Sequence, residues 1–427
     1  MVFDSKKIKK IISDTIIDGS IYNISVGRSG LPTLKVKFDD CSFFMNSKYN
    51  PQKESDEFVQ EYFQEGKDII LYGLGMGYHV KAIYEKMADN NTLYILEFNK
   101  EIVKIAFENT DISEILSKKN VVLEVPDSLN EAVSFIAKTT NNDNAVLIVH
   151  EPSVRAMPSE FEKIKDIFET ILIRRRSSAM LGSLLSDNEK INLTKGYENG
   201  GKVFRDKFKG KKAIVVSAGP SLELNGELLK NVNGRAVIIS VGRAYKYLKS
   251  IGITPDFVVL ADAKPHVVDQ LDLEETETTL IFLSTIYPTV ENYKGPKYIL
   301  FEKYSDSISD EDRKYAVETG GSVATTSLSF AELIGCCKIA LIGQDLCYHS
   351  NKMHSGEDSN FTEVKTNKKV KGISGEEYIA PLNLYEYLKW FRKFAIKHKN
   401  IQLYNCTAKG AFIDGFTHIG INEFLDI

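Results

Sequence analysis

Two stretches of this chain share one design: a short apolar run, a glycine-bearing turn, then apolar residues at helical spacing. They are "DIILYGLGMGYHVKAIYEKM", from Asp68, and "AIVVSAGPSLELNGELL", from Ala213. Consecutive apolar residues between turn signals suit strands buried on both faces, which occur in parallel sheets. The design continues after each stretch. "TLYILEFNKEIVKIAFEN", "NVVLEV" and "NAVLIVHEPSV" follow the first, and "AVIISV", "FVVLAD", "TLIFLST", "KYILFE" and "KIALIGQDL" follow the second. Strands alternating with helical segments imply parallel sheets with right-handed crossovers. A chain of 427 residues exceeds one ordinary core. The predicted fold class is therefore α/β, with two Rossmann-like parallel-sheet domains, a small N-terminal β region and a helical C-terminal segment.

The boundaries follow from composition along the chain. Residues 1–60 carry short alternating segments, as in "SIYNISVGRSGLPTLKVKFDD", and read as a few strands. The first Rossmann-like domain is expected at 61–158. No strand pattern occurs in 159–208, which reads as a helical connector. The second α/β domain is expected at 209–427. Within it, "CYHSNKMHSGEDSNFTEVKTNKKVKGISGEE" is long and polar enough to be a functional or mobile loop. In "LNLYEYLKWFRKFAIKH", Leu384, Tyr387, Leu388, Phe391, Phe394 and Ala395 make a helical stripe, and its aromatics, Trp390 included, are expected to serve packing. "IQLYNC" reads as a closing strand.

Several function classes are disfavoured by composition. With 43% hydrophobic and 26% charged residues, the chain reads as globular. Its net charge of -4 gives no long-range attraction to nucleic acid or an anionic membrane. The basic run at Arg174, Arg175 and Arg176 reads as a solvated helix face. No apolar run approaches the roughly 20 residues of a membrane span, and the charged start lacks a secretory h-region. Cys41, Cys336, Cys337, Cys347 and Cys406 lack CxxC spacing, which suits reduced thiols rather than a zinc site. A cytoplasmic location is expected.

Candidate chemistry gathers at predicted strand ends. A tight turn from a parallel strand into a helix offers backbone N–H groups and a positive dipole end to an anion. In "SAGPS", Ser217 opens the turn, Gly219 permits close approach, Pro220 suits a first helical position and Ser221 is a cap or phosphate ligand. The turn is read as holding a phosphate of a nucleotide or nucleotide-sugar. Arg243 and Asp262 end two further strands; Asp262 would accept from ribose hydroxyls or cap its own turn. Gln344 and Asp345 end another, followed by Tyr348, His349 and His354. In the first domain Gly73, Gly75 and Gly77, with Glu97 at the next strand end, fit a dinucleotide or S-adenosylmethionine loop, or a scaffold turn.

Taken in order, "VVSAGPSLELN", "GRAYKYLKSIGITPDFVVLAD", "GGSVATTSLSFAELIGCCKIALIGQDLCY", a downstream histidine and "YNCTAKGAFIDGF" resemble the Maf (motility associated factor) family. The resemblance covers about 200–427, and the first domain fits more loosely. It implies a flagellin O-glycosyltransferase, needed for flagellum assembly and motility. Such an enzyme moves a pseudaminic- or legionaminic-type nonulosonic sugar from a CMP-activated donor to Ser or Thr of flagellin. The partners implied are flagellin and the CMP-sugar, with no cofactor and no metal. The family's central domain is similar to bacterial sialyltransferases, which also read Gly-Pro-Ser-Leu but carry Asn where this chain has Ala218. It is also similar to an MptE-like pterin diphosphokinase, so a pyrophosphoryl transferase is the second reading. A non-enzymatic flagellin-binding factor is the third, and a methyltransferase resting on Gly73–Gly77 comes last.

On the first reading, charge on departing CMP would be met around Gly219 to Ser221, by Ser322 beside Gly321 in "GGSVA", and by the Tyr348 hydroxyl. His354 is the expected general base, with Asp345 and His349 as fallbacks. Gln344 and Asp345 would grip the sugar.

Overall fold

The apolar runs form strands that sort into two parallel sheets in a computed structural model, which describes residues 5–38, 41–140, 142, 144–305, 307–348 and 368–427. The chain divides into two compact units, residues 1–178 and 179–427, and the division falls inside the helix Glu162–Thr194.

Unit 1 begins with the helix Ser5–Asp14, whose Ile8 and Ile11 are buried. Strands β1 (Tyr22–Val26), β2 (Pro32–Phe38) and β3 (Cys41–Phe44) then form an antiparallel sheet, as the alternating N-terminal segments require. Helix Pro51–Tyr62 starts where Asn50 accepts a hydrogen bond from the Lys53 amide and Pro51 takes the first turn. The parallel sheet comprises β4 (Asp68–Tyr72), β5 (Leu93–Leu96), β6 (Val121–Glu124) and β7 (Ala145–Val149), in the order β6-β5-β4-β7. The chain leaves β4 toward β5 on one side and returns to β7 on the other. That reversal opens a crevice beyond the carboxyl ends of β4 and β7.

Unit 2 repeats the plan on a larger scale. Its strands are β8 (Lys212–Val216), β9 (Ala236–Val241), β10 (Phe257–Leu260), β11 (Thr279–Leu283), β12 (Lys297–Leu300) and β13 (Lys338–Ile342). After the hairpin β14 (Lys368–Lys371) and β15 (Glu377–Ala380) come β16 (Gln402–Asn405) and β17 (Thr417–His418). The eight-stranded sheet runs β12-β11-β10-β9-β8-β13-β16-β17, with every pairing parallel. All six residues of β9 are buried, as a central strand covered on both faces demands. The order reverses between β8 and β13, so the strand that opens the unit and the strand ending in "GQDL" are direct neighbours.

The region read as a connector, 159–208, is helical: Glu162–Thr194 and Gly200–Phe204 are its main elements. The expected C-terminal helix is Leu382–Lys397, but the C-terminal segment also adds β16 and β17 to the sheet. Hairpin β14–β15 carries no apolar alternation strong enough to reveal it in the sequence. Among the described residues no helix is long and apolar enough to cross a membrane.

Candidate functional site

Strand β8 delivers Ser217–Ser221 to the carboxyl edge of the unit 2 sheet, and β13 delivers Gly343–Leu346 beside it. The two turns are tied together. The Gly219 amide donates to Gly343 O at 2.8 Å, and Ser217 Oγ donates to Gln344 Oε1 at 2.6 Å. The Ser221 amide and hydroxyl both donate to the Asp345 carboxylate, at 2.9 and 2.5 Å. Thr407, from the C-terminal "YNCTAKG" stretch, holds the other side by accepting from the Gln344 amide at 3.0 Å. Gly343 takes φ +67, where a side chain would strike Ser217 O, so glycine alone lets the turns approach this closely.

This arrangement changes the role of the first turn. Ser221 is fully buried and Asp345 is 3% exposed. The protein's own carboxylate therefore caps the short helix Leu222–Asn225 where a ligand phosphate was expected. The Ser217, Gly219 and Leu222 amides are likewise bonded to backbone carbonyls. Burial pushes the Asp345 carboxyl up to about 6, against the two hydrogen bonds from Ser221 that lower it. It is held as a support, with the poise of a group that changes charge in mildly acid solution.

A pocket of about 210 Å³ opens beside the joined turns. Of the expected residues, Ser217, Gly219, Arg243, Asp262, Ser322, Gln344 and Asp345 line it, while Pro220, Ser221, Gly321 and Tyr348 do not. Gly321 lies just behind, where an added Cβ would meet Tyr387 Cε1 at 3.5 Å. Tyr348 is half-buried, and its amide donates to Ile379 O of the β15 strand at 2.9 Å. His349 and His354 lie outside the described residues.

Two other helices bring their first turns to the pocket lining. Helix Gly242–Ser250 begins directly after β9 at Val241, which has no side-chain acceptor for its first-turn amides. Arg243 sits in that turn. Helix Val323–Leu333 begins at Ser322, whose hydroxyl forms a reciprocal capping box with Thr325. Asp262 accepts from the Lys264 amide at 3.0 Å, capping its own turn, and its other oxygen lies 3.5 Å from His266 Nε2. The loops after β10 and β11 are pinned from the helix Glu162–Thr194. Asn188 Nδ2 donates to Ala263 O and Thr285 O, and Asn192 Nδ2 to Ser284 O and Ile286 O.

The sequence reading missed the apolar wall. Leu384 and Tyr387 line the pocket, although their helical stripe was read as packing. Trp390, one turn on, does pack as expected, stacking on Phe394 at 5.0 Å. A stripe that is part core and part pocket has one spacing, so the periodicity carried no signal to separate them.

In unit 1 the glycine loop is closed from within. Glu97 is fully buried and accepts from the Leu74 and Asn99 amides at 2.9 and 3.0 Å. It is therefore turned inward onto the glycine loop. Desolvation raises it to about 7 despite those bonds.

Residues 187–351 match the sequence model of a family described as 6-hydroxymethylpterin diphosphokinase MptE-like. That span holds both joined turns and the asparagine pins. Among solved structures, the chain is similar to a MAf glycosyltransferase from Magnetospirillum magneticum AMB-1. The identity is 17% and the TM-score 0.46, with 97% of this chain and 72% of that one covered. No curated protein matches the chain in sequence.

Proposed function

We propose that unit 2 is the catalytic part of a protein O-glycosyltransferase that moves a nonulosonic sugar from CMP to Ser or Thr of flagellin. The observation that carries the reading is the direct joining of "SAGPSL" and "GQDL", motifs 124 residues apart, at the sheet's switch point beside a pocket. These are the motifs on which the family resemblance rests, and the carboxyl edge is where open α/β sheets hold ligands.

In this reading Tyr387 and Leu384 form the wall against the nucleoside, and Asp262 takes ribose hydroxyls. The donor phosphate sits at the first turns of Gly242–Ser250 and Val323–Leu333, with Arg243, rather than on Gly219–Ser221. Gln344 meets the sugar. The acceptor hydroxyl oxygen bonds the anomeric carbon while that carbon's bond to the CMP phosphate oxygen breaks. CMP leaves with the electron pair, and the acceptor proton passes to a histidine of the 349–367 segment, His354 first and His349 second. Asp345, with its raised pKa, is the third choice and acts mainly by holding the two turns. The work is carried out in the cytoplasm with no bound cofactor.

The family match over 187–351 favours a second reading, pyrophosphoryl transfer to a pterin. Calorimetry against CMP, CMP-nonulosonates and ATP with Mg²⁺ separates the two. A ligand at 100 times its Kd stabilises by about 2.7 kcal/mol. Selective stabilisation by CMP compounds, followed by a mass increase on flagellin, is the expected result. Stabilisation only by ATP with Mg²⁺ would overturn it in favour of the second reading.

A further inference from the structure

The three-stranded sheet of unit 1 has an open edge, and sugar transfer as described makes no use of it. Strand β1 pairs with β2 alone. The Lys37 amide donates to Ile21 O and the Gly27 amide to Leu31 O, both at 2.8 Å. Bonds alternate along an antiparallel pair, so Asn23 and Ser25 turn their backbone groups to β2, while Ile24 and Val26 turn theirs outward. Pro32, which has no N–H, stands opposite Val26, as that alternation allows. Among the described residues nothing bonds the Ile24 or Val26 amide.

Other sheet edges are occupied. The Ile299 amide of β12 donates to Glu198 O at 3.0 Å, Ile379 O of β15 accepts from the Tyr348 amide at 2.9 Å, and Leu147 O of β7 accepts from the Arg175 guanidinium. An uncovered edge is a template for another chain, and natural edges are blunted by charge or proline. Strand β1, "YNISV", has neither.

The two faces beside this edge differ. Tyr22, Leu34, Val36 and Phe43 share a buried face, but it runs out of cover at β1, where Ile24 is 40% exposed and Val26 73%. The opposite face is polar and basic. Asn23 and Ser25 lie on it, followed by Lys35 and Lys37 of β2 and Phe44 of β3. Beyond the end of β1, Arg28 stands 4.8 Å and Lys48 5.1 Å from the Tyr49 ring. Among the described residues none of Arg28, Lys35, Lys37 and Lys48 has a carboxylate partner. Asp18 accepts instead from the Ser20 amide and hydroxyl, and Glu54 from the Ser47 amide. Asp39 and Asp40 lie outside the described residues.

A strand added beside β1 would lie about 4.8 Å from it and alternate its side chains between the same two faces. On one face they close over Ile24 and Val26, which apolar residues do best. On the other they meet Asn23 and Ser25, short enough for Lys35 and Lys37 to reach across to carboxylates. A second copy of this chain fits badly, because β1 against β1 sets two lysine rows on one face and supplies no acid.

We propose that β1 is a docking edge for an extended segment of a partner protein in which acidic and apolar residues alternate, added to the sheet as a fourth strand. Main-chain bonds to Ile24 and Val26 hold the segment, and the lysines select its sequence. The assignment is independent of the activity proposed for unit 2.

Fluorescence anisotropy tests it, with the full chain titrated into a labelled, end-blocked peptide of alternating Glu and Val. The comparisons are the same peptide N-methylated at every residue, a peptide of alternating Lys and Val, and a single-stranded oligonucleotide. Only the unmethylated acidic peptide is expected to bind. Lys35→Glu with Lys37→Glu, both exposed, should weaken it by about tenfold, the factor equal to 1.4 kcal/mol. Ile24→Pro deletes an outward amide that β2 does not use, a change edge strands tolerate, and should abolish binding. The methylated peptide puts the same question without altering the protein. Equal binding of the methylated peptide, preference for the oligonucleotide, binding indifferent to the lysine pair, or no binding at millimolar concentration would overturn the proposal.

Discussion

Asp345→Asn removes the titratable group that joins the two turns of unit 2 and leaves the shape in place. The Asp345 carboxyl stands at about 6 in the folded chain against an ordinary 3.8. At roughly 1.4 kcal/mol per decade, the gap is worth about 3 kcal/mol. The sign follows from which state holds the proton more tightly, and here it is the folded one. Below the unfolded pKa both states are protonated and the full stability is present. As pH rises through 6, the folded protein must surrender a tightly held proton and that stability is lost. Asparagine cannot titrate. It also loses one of the two bonds from Ser221, a cost of about 1 kcal/mol that is the same at every pH. The assay is denaturant unfolding followed by tryptophan fluorescence, because the single tryptophan, Trp390, lies in unit 2 and reports that unit alone. The stability of wild type minus that of Asp345→Asn should fall by about 2.4 kcal/mol between pH 4 and pH 7.5. Profiles that stay parallel to within about 0.5 kcal/mol, the usual size of a neutral surface effect, would show that Asp345 is solvated or paired and that the buried-cap account is wrong.

Other perturbations test separate links. Gly219→Val would press a side chain into the Asp345 carboxylate and Gly343 O, the latter 2.5 Å from the added Cβ. It should cost about 1–3 kcal/mol of unit 2 stability and reduce CMP affinity, both visible by calorimetry. Asn192→Ala frees the Ser284 and Ile286 carbonyls and should destabilise unit 2 by about 1–3 kcal/mol in the tryptophan assay. Glu97→Ala leaves the Leu74 and Asn99 amides unpaired in the core of unit 1. It should lower unit 1 stability by a few times about 1 kcal/mol, read by hydrogen exchange in β4 and β5, with CMP binding untouched. His354→Ala should abolish sugar transfer and leave CMP affinity within a few-fold; unchanged turnover would remove it as the base.

Much of the candidate site was legible because its residues end apolar runs. Ser217, Gly219, Arg243, Asp262, Gln344 and Asp345 each follow a strand that the sequence marks by its own composition, and in a parallel sheet all strand ends share one edge. The expectation that Ser221 would meet a phosphate failed for a reason no local pattern carries. Its amide and hydroxyl found an internal acceptor 124 residues away. Glu97 shows the same effect in unit 1, where a correctly spaced acid turned inward onto the glycine loop.

Periodicity is a local property, so the chain alone declares the buried strands of its parallel sheets, its two α/β units and the glycines of its tight turns. Strand order is not local. That β8 pairs with β13 and not only with β9, that Tyr387 faces a pocket while Trp390 faces the core, and that His79 and His150, 71 residues apart, stack over Gly75 were decided by tertiary packing. A hydrogen-bond donor or an aromatic ring acquires its role only when folding determines which partner stands opposite it.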